Sequence, residues 1–104
     1  MAWIALVLSG VLEAVWAAAL DKTDGFTRLG PAVVFIVALT ASMAGLAYAM
    51  RSIPLGTAYA VWVGIGAVLT VGYAMATGAE SVSLVRILLL GGIVGCVVGL
   101  KLLP

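Results

Sequence analysis

Four long apolar segments divide the chain, and most of its charged residues lie between them. Each segment has about 17–22 residues, the length that an α-helix needs to cross a hydrocarbon core of roughly 30 Å. None alternates polar and apolar residues with a period of two, and an open sheet could not satisfy its edges in lipid. The pattern therefore predicts four transmembrane helices, over Ala2–Leu20, Pro31–Met50, Leu55–Ala76 and Leu84–Leu100.

The segments between these helices are short and contain residues that break helices. They read DKTDGFTRLGP, RSIP and ATGAES, with glycine, proline or serine in each. Connections of this length place successive helices antiparallel and side by side. We therefore expect an all-α integral membrane fold with a single domain over residues 1–104 and no separate soluble domain.

Composition supports lipid as the main solvent of this chain. Of its 104 residues, 65% are hydrophobic and 9% are charged, and the mean hydropathy is +1.33. A soluble domain carries charge on roughly a quarter of its residues. The net charge of +1 gives no reason to expect a nucleic-acid partner.

Several classes of chemistry are disfavoured by the residue types present. The chain has no histidine, and Cys96 is its one cysteine, so we expect no metal site, no cofactor and no internal disulfide. Cys96 itself is interpreted as a small apolar filler. The first apolar run is not a convincing signal peptide, because no Lys or Arg precedes it and Glu13 interrupts it.

The positive charges of the loops are almost evenly divided between the two membrane faces. With a cytoplasmic N-terminus, Arg51 and Lys101 lie on the inner side, and Lys22, Arg28 and Arg86 lie on the outer side. A difference of two positive charges against three is too small for the positive-inside rule to favour one orientation. Either the chain inserts in both orientations or another feature fixes one of them.

Glu13 is the most informative residue of the sequence. It is the one charged residue between Met1 and Leu20, near the middle of the first predicted helix. An acid at that depth costs roughly 2.5–3.5 kcal/mol even on lenient insertion scales. Hydrocarbon favours the neutral form, and the nearest base in the chain, Lys22, lies more than two turns away. We expect Glu13 to bind a proton or a cationic ligand; the alternative is a permanently protonated structural side chain.

Polar and small residues share faces with this acid or lie on the neighbouring helices. Gly10 and Trp16 lie at offsets of three from Glu13. The second helix contributes Ser42, and in the third helix Tyr59, Trp62 and Gly66 share one side. Tyr59 and Trp62 could also be interfacial anchors, the role that we assign to Trp3.

Glycines recur in the last two helices. Gly64 and Gly66 weaken the third helix as a rigid rod and predict a bend there. Gly91, Gly95 and Gly99 place a small residue at every fourth position of the last helix, which lets another backbone approach closely. Spacing alone leaves open whether that neighbour belongs to the same chain or to a second copy.

Four motifs occur in order along essentially the whole chain: GVLEAVWAAAL, DGFTRLGP, PLGTAYAVWVGIGA and the closing GLK. Together they resemble the small multidrug resistance transporters. Gly10 and Trp16 are similar to the guanidinium exporter subtype of that family. The resemblance implies a proton-coupled antiporter, assembled as an antiparallel, dual-topology homodimer in the inner (plasma) membrane. Its partners would then be a second copy, guanidinium-type or small organic cations, protons and lipid.

The resemblance also implies a role for each of these residues. Glu13 would bind proton and substrate in competition, and Trp16 and Ser42 would orient it. Tyr59 and Trp62 would line the pocket. The remaining matches are Gly64 and Gly66 for the bend, and Gly91, Gly95 and Gly99 for the dimer contact.

Three departures from the family pattern put the substrate range in question. Lys22 stands one place later than the family lysine, Met43 replaces an aromatic found in some relatives, and the end of the third helix is less bulky. The alternatives are a broader quaternary ammonium exporter and one half of a heterodimeric pair.

Functions of other classes fit the sequence less well. A proton-translocating rotor subunit also has a carboxyl among glycine-rich helices, but such subunits usually have two helices. An enzyme is disfavoured by the absence of histidine and of a cysteine–base pair. A membrane protein that serves only in interactions would tolerate Glu13→Gln.

Overall fold

The computed structural model describes residues 1–103 and contains four long helices in that range. All four are long and apolar enough to cross a membrane, and no strand occurs among the residues described. The helices agree with the four predicted spans. They are α1 (Ala2–Lys22), α2 (Leu29–Ala49), α3 (Leu55–Ala76) and α4 (Leu84–Leu102).

Four of the predicted helix boundaries differ from the observed ones by one or two residues, including the end of α2 at Ala49 instead of Met50. α2 begins at Leu29, before Pro31, because a proline in the first turn lacks only an N–H that would have no helical partner. α1 and α4 continue past the predicted ends, through Lys22 and Leu102. A lysine in the last turn stabilises a helix C-terminus and can extend its charge to the membrane surface.

Basic side chains at three helix ends lie over aromatic rings. Lys22 Nζ is 5.6 Å from the ring centroid of Tyr73, and Lys101 Nζ is 5.3 Å from that of Trp3. The Arg51 guanidinium lies 5.8 Å from the Tyr48 ring centroid. These pairs place amphipathic side chains where a membrane–water interface would lie.

The helices are arranged as a flat layer in the order α2, α1, α3, α4. α1 packs against both α2 and α3, whereas α4 packs only against α3. The molecule measures 45 × 34 × 17 Å along its principal axes. Its buried core joins the first three helices and the α2–α3 turn, and comprises Leu6, Leu46, Ala49, Ile53, Ala58, Val61 and Trp62.

Candidate functional site

Glu13 lies at the midpoint of α1 and packs against Gly66 of α3. A methyl group added at Gly66 would overlap the Glu13 carboxyl, so the glycine provides the space that this side chain occupies. Glu13 Oε1 is buried and has no hydrogen-bond partner among residues 1–103. A buried carboxyl oxygen without a donor is costly, so the site is incomplete without a further group.

Trp16 lies one turn beyond Glu13 on the same helix. Its indole Nε1 is also buried and also lacks a hydrogen-bond partner among the described residues. The edge of its ring contacts Phe35 of α2, with ring centroids 5.9 Å apart and the planes at 73°. Adjacent turns of α1 therefore present one unused hydrogen-bond donor and one unused acceptor.

Ser42 connects α1, α2 and α3 through hydrogen bonds. Its hydroxyl donates to the Ser9 carbonyl oxygen of α1 at 2.7 Å and accepts from Trp62 Nε1 of α3 at 3.1 Å. Ser9 in turn donates to the Leu6 carbonyl oxygen at 2.8 Å. The one hydroxyl hydrogen of Ser42 is thus used by a backbone carbonyl, and Ser42 makes no hydrogen bond to Glu13 in this structure.

Tyr59 and Trp62 form a tilted ring pair on α3, with centroids 5.8 Å apart and an interplanar angle of 35°. Trp62 is buried, but Tyr59 is 53% exposed. The rings therefore extend from the Ser42 hydrogen bond to the surface of the chain. Tyr59 is available to a ligand or to a second protein.

The three glycines nearest the site each provide close packing between helices. A methyl group at Gly10 of α1 would lie 2.8 Å from Ile65 Cγ2, and one at Gly64 would lie 2.7 Å from Val97 Cγ2 of α4. Gly66 makes room for Glu13, as described above. α3 continues as a helix through Gly64 and Gly66.

The glycines of α4 lie on the side of that helix that no other helix covers. Nothing lies within 4 Å of a methyl group placed at Gly91, Gly95 or Gly99. The partly buried residues of α4 that face α3, such as Ile93 and Val97, lie on the opposite side. Among residues 1–103 the glycine face therefore packs against nothing.

An apolar cavity of about 560 Å³ lies on a different face of α1 from Glu13. Its lining includes Val11, Ala18 and Lys22 of α1 with Leu69 and Tyr73 of α3, and Glu13 is not part of it. In the range 1–103, no three His, Cys, Asp or Glu side chains are grouped so as to hold a metal ion. Among the described residues, the buried side-chain polar atoms that lack a hydrogen-bond partner are Glu13 Oε1 and Trp16 Nε1.

One contact of the site is not visible in the sequence pattern. The Trp16 ring contacts Phe35, which hydropathy does not distinguish from its apolar neighbours on α2. Gly45 lets α2 approach α1, since a methyl group there would lie 2.8 Å from Ser9 Cβ. A small residue on α2 is expected to allow close packing, but only the three-dimensional structure shows that its neighbour is Ser9.

Comparison with known proteins gives whole-chain matches. The family described as Small Multidrug Resistance protein matches residues 1–93. A protein named guanidinium exporter from Yersinia pestis is 54% identical over 102 residues, which cover 98% of each chain. Proteins of the same name from Citrobacter freundii and Proteus vulgaris are 51% and 49% identical over 102 residues, covering 98% of this chain and 97% and 98% of theirs.

Proposed function

Because this chain belongs to the small multidrug resistance family, we propose that it is a membrane antiporter that exports guanidinium and small substituted guanidinium cations in exchange for protons. The four membrane-spanning helices and the family make it a multi-pass membrane protein. The names of its relatives, which are exporters and not enzymes, support guanidinium as the cargo. We place it in the inner (plasma) membrane.

The unpartnered Glu13 Oε1 is the observation that carries this proposal. Guanidinium is planar and presents pairs of N–H donors that match the two oxygens of a carboxylate. Trp16 Nε1, one turn away and also unpartnered, is a donor that can hydrogen-bond the ionised carboxylate. A bound guanidinium thus supplies the donors and the charge that Glu13 lacks.

Exchange follows from competition for this single carboxyl group. A proton and a guanidinium cation each neutralise Glu13, and one carboxylate cannot be neutralised twice. A proton arriving from the acidic side therefore displaces the cation there, and the cation displaces the proton on the other side. Each conformational cycle moves the two in opposite directions.

The flat shape of the chain supports a second copy as the partner that completes the site. A layer 17 Å thick does not enclose Glu13, and Tyr59 is exposed beside the buried Trp62. A symmetric dimer would close two such layers on each other. In our proposal the copies are antiparallel, and Gly91, Gly95 and Gly99 provide the contact between their α4 helices.

The remaining site residues have supporting roles in this proposal. Tyr59 and Trp62 line the pocket and offer ring faces to the flat cation. Ser42 fixes Trp62 through the hydrogen bond between them. Gly10 keeps α1 close to α3, while Gly64 and Gly66 let α3 bend differently in the two copies.

Replacing Glu13 by Gln tests the mechanism, since Gln keeps the shape but neither ionises nor exchanges a proton. In proteoliposomes with an imposed pH gradient, we expect the E13Q variant to lose proton-driven guanidinium uptake. The matched control is Glu80→Gln, which changes an exposed loop carboxylate paired with Arg86 and should retain uptake. Proton-coupled uptake by E13Q would refute the proposal.

The pH dependence of guanidinium binding has a defined sign in this mechanism. As the pH falls, protons occupy Glu13, so the apparent Kd for guanidinium rises; as the pH rises, the Kd falls to a plateau. In the limit of full competition the Kd changes about tenfold per pH unit, because one proton is displaced per cation. Equal Kd values at pH 5 and pH 9 would contradict the competition.

A broader quaternary ammonium exporter of the same family is the second candidate. Met43 favours it, because this flexible side chain is 47% exposed on α2 and can adapt to alkyl groups. A quaternary ammonium ion has no N–H donor for Glu13. Transport of tetramethylammonium faster than guanidinium by the same preparation would favour this candidate.

One half of a heterodimeric pair is the remaining alternative. The near balance of loop charges favours self-pairing, because a fixed orientation would need a stronger asymmetry. Cysteines introduced separately at Ser52 and Ser81, on opposite ends of the helices, should each be labelled from outside intact cells in about half of the molecules. Labelling at one position alone would favour the heterodimer.

A further inference from the structure

The turn between α1 and α2 is held in one conformation by threonine hydroxyls. Thr23 is fully buried, and its Oγ1 donates to the Leu20 carbonyl oxygen at 2.7 Å and accepts from Phe26 N at 3.1 Å. Thr27 Oγ1 donates to the Asp24 carbonyl oxygen at 2.8 Å. The turn is therefore a fixed element rather than a loose connection.

Three successive residues of this turn have left-handed backbone conformations. The φ angles of Asp24, Gly25 and Phe26 are 50°, 70° and 67°. Glycine adopts such angles without strain, but phenylalanine does so only where its surroundings hold it. A costly conformation at Phe26 points to a role for the position of its side chain.

The Phe26 side chain lies against Phe35 of α2. The ring centroids are 5.7 Å apart and the planes meet at 69°, an edge-to-face contact. Phe35 makes a second edge-to-face contact with Trp16, at 5.9 Å. Both distances lie in the range favoured for aromatic pairs. We call Phe26, Phe35 and Trp16 the aromatic chain. It runs from the α1–α2 turn to Trp16, which lies one helical turn beyond Glu13 on α1.

The Trp16 indole packs against the buried core and makes an edge-to-face contact with Phe35. Trp16 Nε1 has no hydrogen-bond partner among residues 1–103, so no polar contact within the described chain fixes its rotation. The ring contact with Phe35 restricts that rotation, and Phe35 is itself in contact with Phe26. The turn thereby reaches the candidate site without touching Glu13.

We propose that Phe26 is a positioning residue of the cation site, which sets the orientation of the Trp16 indole through Phe35. This inference rests on the proposed function, since it concerns the same site. It also gives the GFTRLGP segment a role beyond connecting two helices. A change in the turn that moved Phe26 would be transmitted through Phe35 to the Trp16 indole, one helical turn from Glu13.

An interfacial anchor is the competing role for an aromatic residue at this depth. An anchor contacts the lipid headgroups, so its effect on transport would not depend on Phe35. A positioning residue acts in series with Phe35, so its effect disappears once Phe35 is lost. The two roles therefore differ in a double-mutant cycle.

Transport kinetics provide the first test. We expect Phe26→Ala to raise the KM for guanidinium about two- to tenfold, the range that corresponds to losing one aromatic pair, at nearly unchanged kcat. Phe26→Tyr should keep the wild-type KM. Phe26→Leu, which keeps apolar volume without a ring, should raise the KM as Phe26→Ala does. Leu29→Ala is the matched control, because it truncates another exposed apolar residue close to the same turn.

The cycle with Phe35→Leu separates positioning from anchoring. The F26A/F35L double variant should have the KM of F35L alone, because the aromatic chain is already broken. If the fold-changes in KM caused by F26A and by F35L multiply in the double variant, the proposal is overturned. An unchanged KM for F26A would also overturn it. If F26A does not fold, the comparison of F26L with F26Y decides in the same way.

Tryptophan fluorescence tests the positioning without relying on transport. In a W3F/W62F background, Trp16 is the one remaining tryptophan of the three in the chain. Without substrate, F26A should shift or broaden its emission, and L29A should not. Identical emission in F26A and its parent would overturn the proposal. Failure of the wild-type protein to transport guanidinium would instead refute the proposed function, leaving the fluorescence result to decide the role of Phe26.

Discussion

Ser42 shows how one small side chain can hold three helices in register. It accepts a hydrogen bond from the Trp62 indole and donates one to the Ser9 carbonyl, so α1, α2 and α3 meet at a single hydroxyl group. Gly45 on the same helix makes this close approach possible, because a side chain there would collide with Ser9. In hydrocarbon the Trp62 N–H has no water to replace that acceptor.

Replacing Ser42 by Ala is therefore expected to destabilise the protein, because it leaves the buried Trp62 N–H without an acceptor. We expect a loss of about 1–2 kcal/mol in the free energy of unfolding, measured by denaturation in detergent micelles. Ser9→Ala is the matched control, since it removes only a bond within α1 and keeps the carbonyl that Ser42 uses. Equal stability of the two variants would contradict this role of Ser42.

At the scale of the helix, α3 uses its glycines for different neighbours. Gly64 admits Val97 of α4, and Gly66, about half a turn on, admits the Glu13 carboxyl. α3 thus touches the candidate site on one side and the outermost helix on the other. A shift of α3 would move both contacts together.

Gly66→Ala is expected to impair cation binding while leaving the helix intact. The added methyl group would overlap the Glu13 carboxyl and force it to move, at a cost that corresponds to about a tenfold or greater rise in the Kd for guanidinium. Gly72→Ala is the matched control, since nothing lies within 4 Å of a methyl group there. Calorimetric titration of both variants checks this, and a normal Kd for G66A would contradict it.

The sequence predicted all four helices, because a membrane span is recognised by its length and apolar content. The predicted boundaries of α1 and α2 differ from the observed ones, because hydropathy does not register that Pro31 fits a first turn or that Lys22 fits a last one. Glu13 could be singled out as a candidate site residue because an acid is rare at such depth. Its companions on α1 followed from helical spacing.

Packing partners could not be predicted from the same pattern. In an almost uniformly apolar helix, Phe35 differs from its neighbours only in size, so nothing marks it as a contact of Trp16. The glycines of α3 predicted a bend but not that Gly66 accommodates Glu13. Such pairings depend on how each helix is rotated about its own axis. A helix with only a narrow polar face gives little indication of that rotation in its sequence.

At the scale of the whole molecule, the four helices form an open layer rather than a closed bundle. α4 is attached through one neighbour and contains no buried residue, and its glycine face is bare. Glu13 is packed against Gly66 but is not enclosed by the chain. These features agree with the proposal that a second copy completes the structure.

Gly95→Leu is expected to weaken that assembly, because a large side chain would hold two α4 backbones apart. We expect the dimer dissociation constant, measured by dilution in lipid bilayers, to rise about tenfold or more. Cys96→Leu is the control, since it adds bulk at an exposed position about 100° around the same helix. Equal dissociation constants for the two variants would argue against the glycine contact.

The bare outer helix also bears on how such a protein could be made. Lipid tails solvate leucine and valine about as well as protein does, so a newly inserted chain is under little pressure to cover α4 at once. The monomer can persist alone and diffuse laterally in the bilayer until it meets a second copy. Biogenesis would then separate into two stages, with insertion settled chain by chain and pairing left to encounters within the plane of the bilayer.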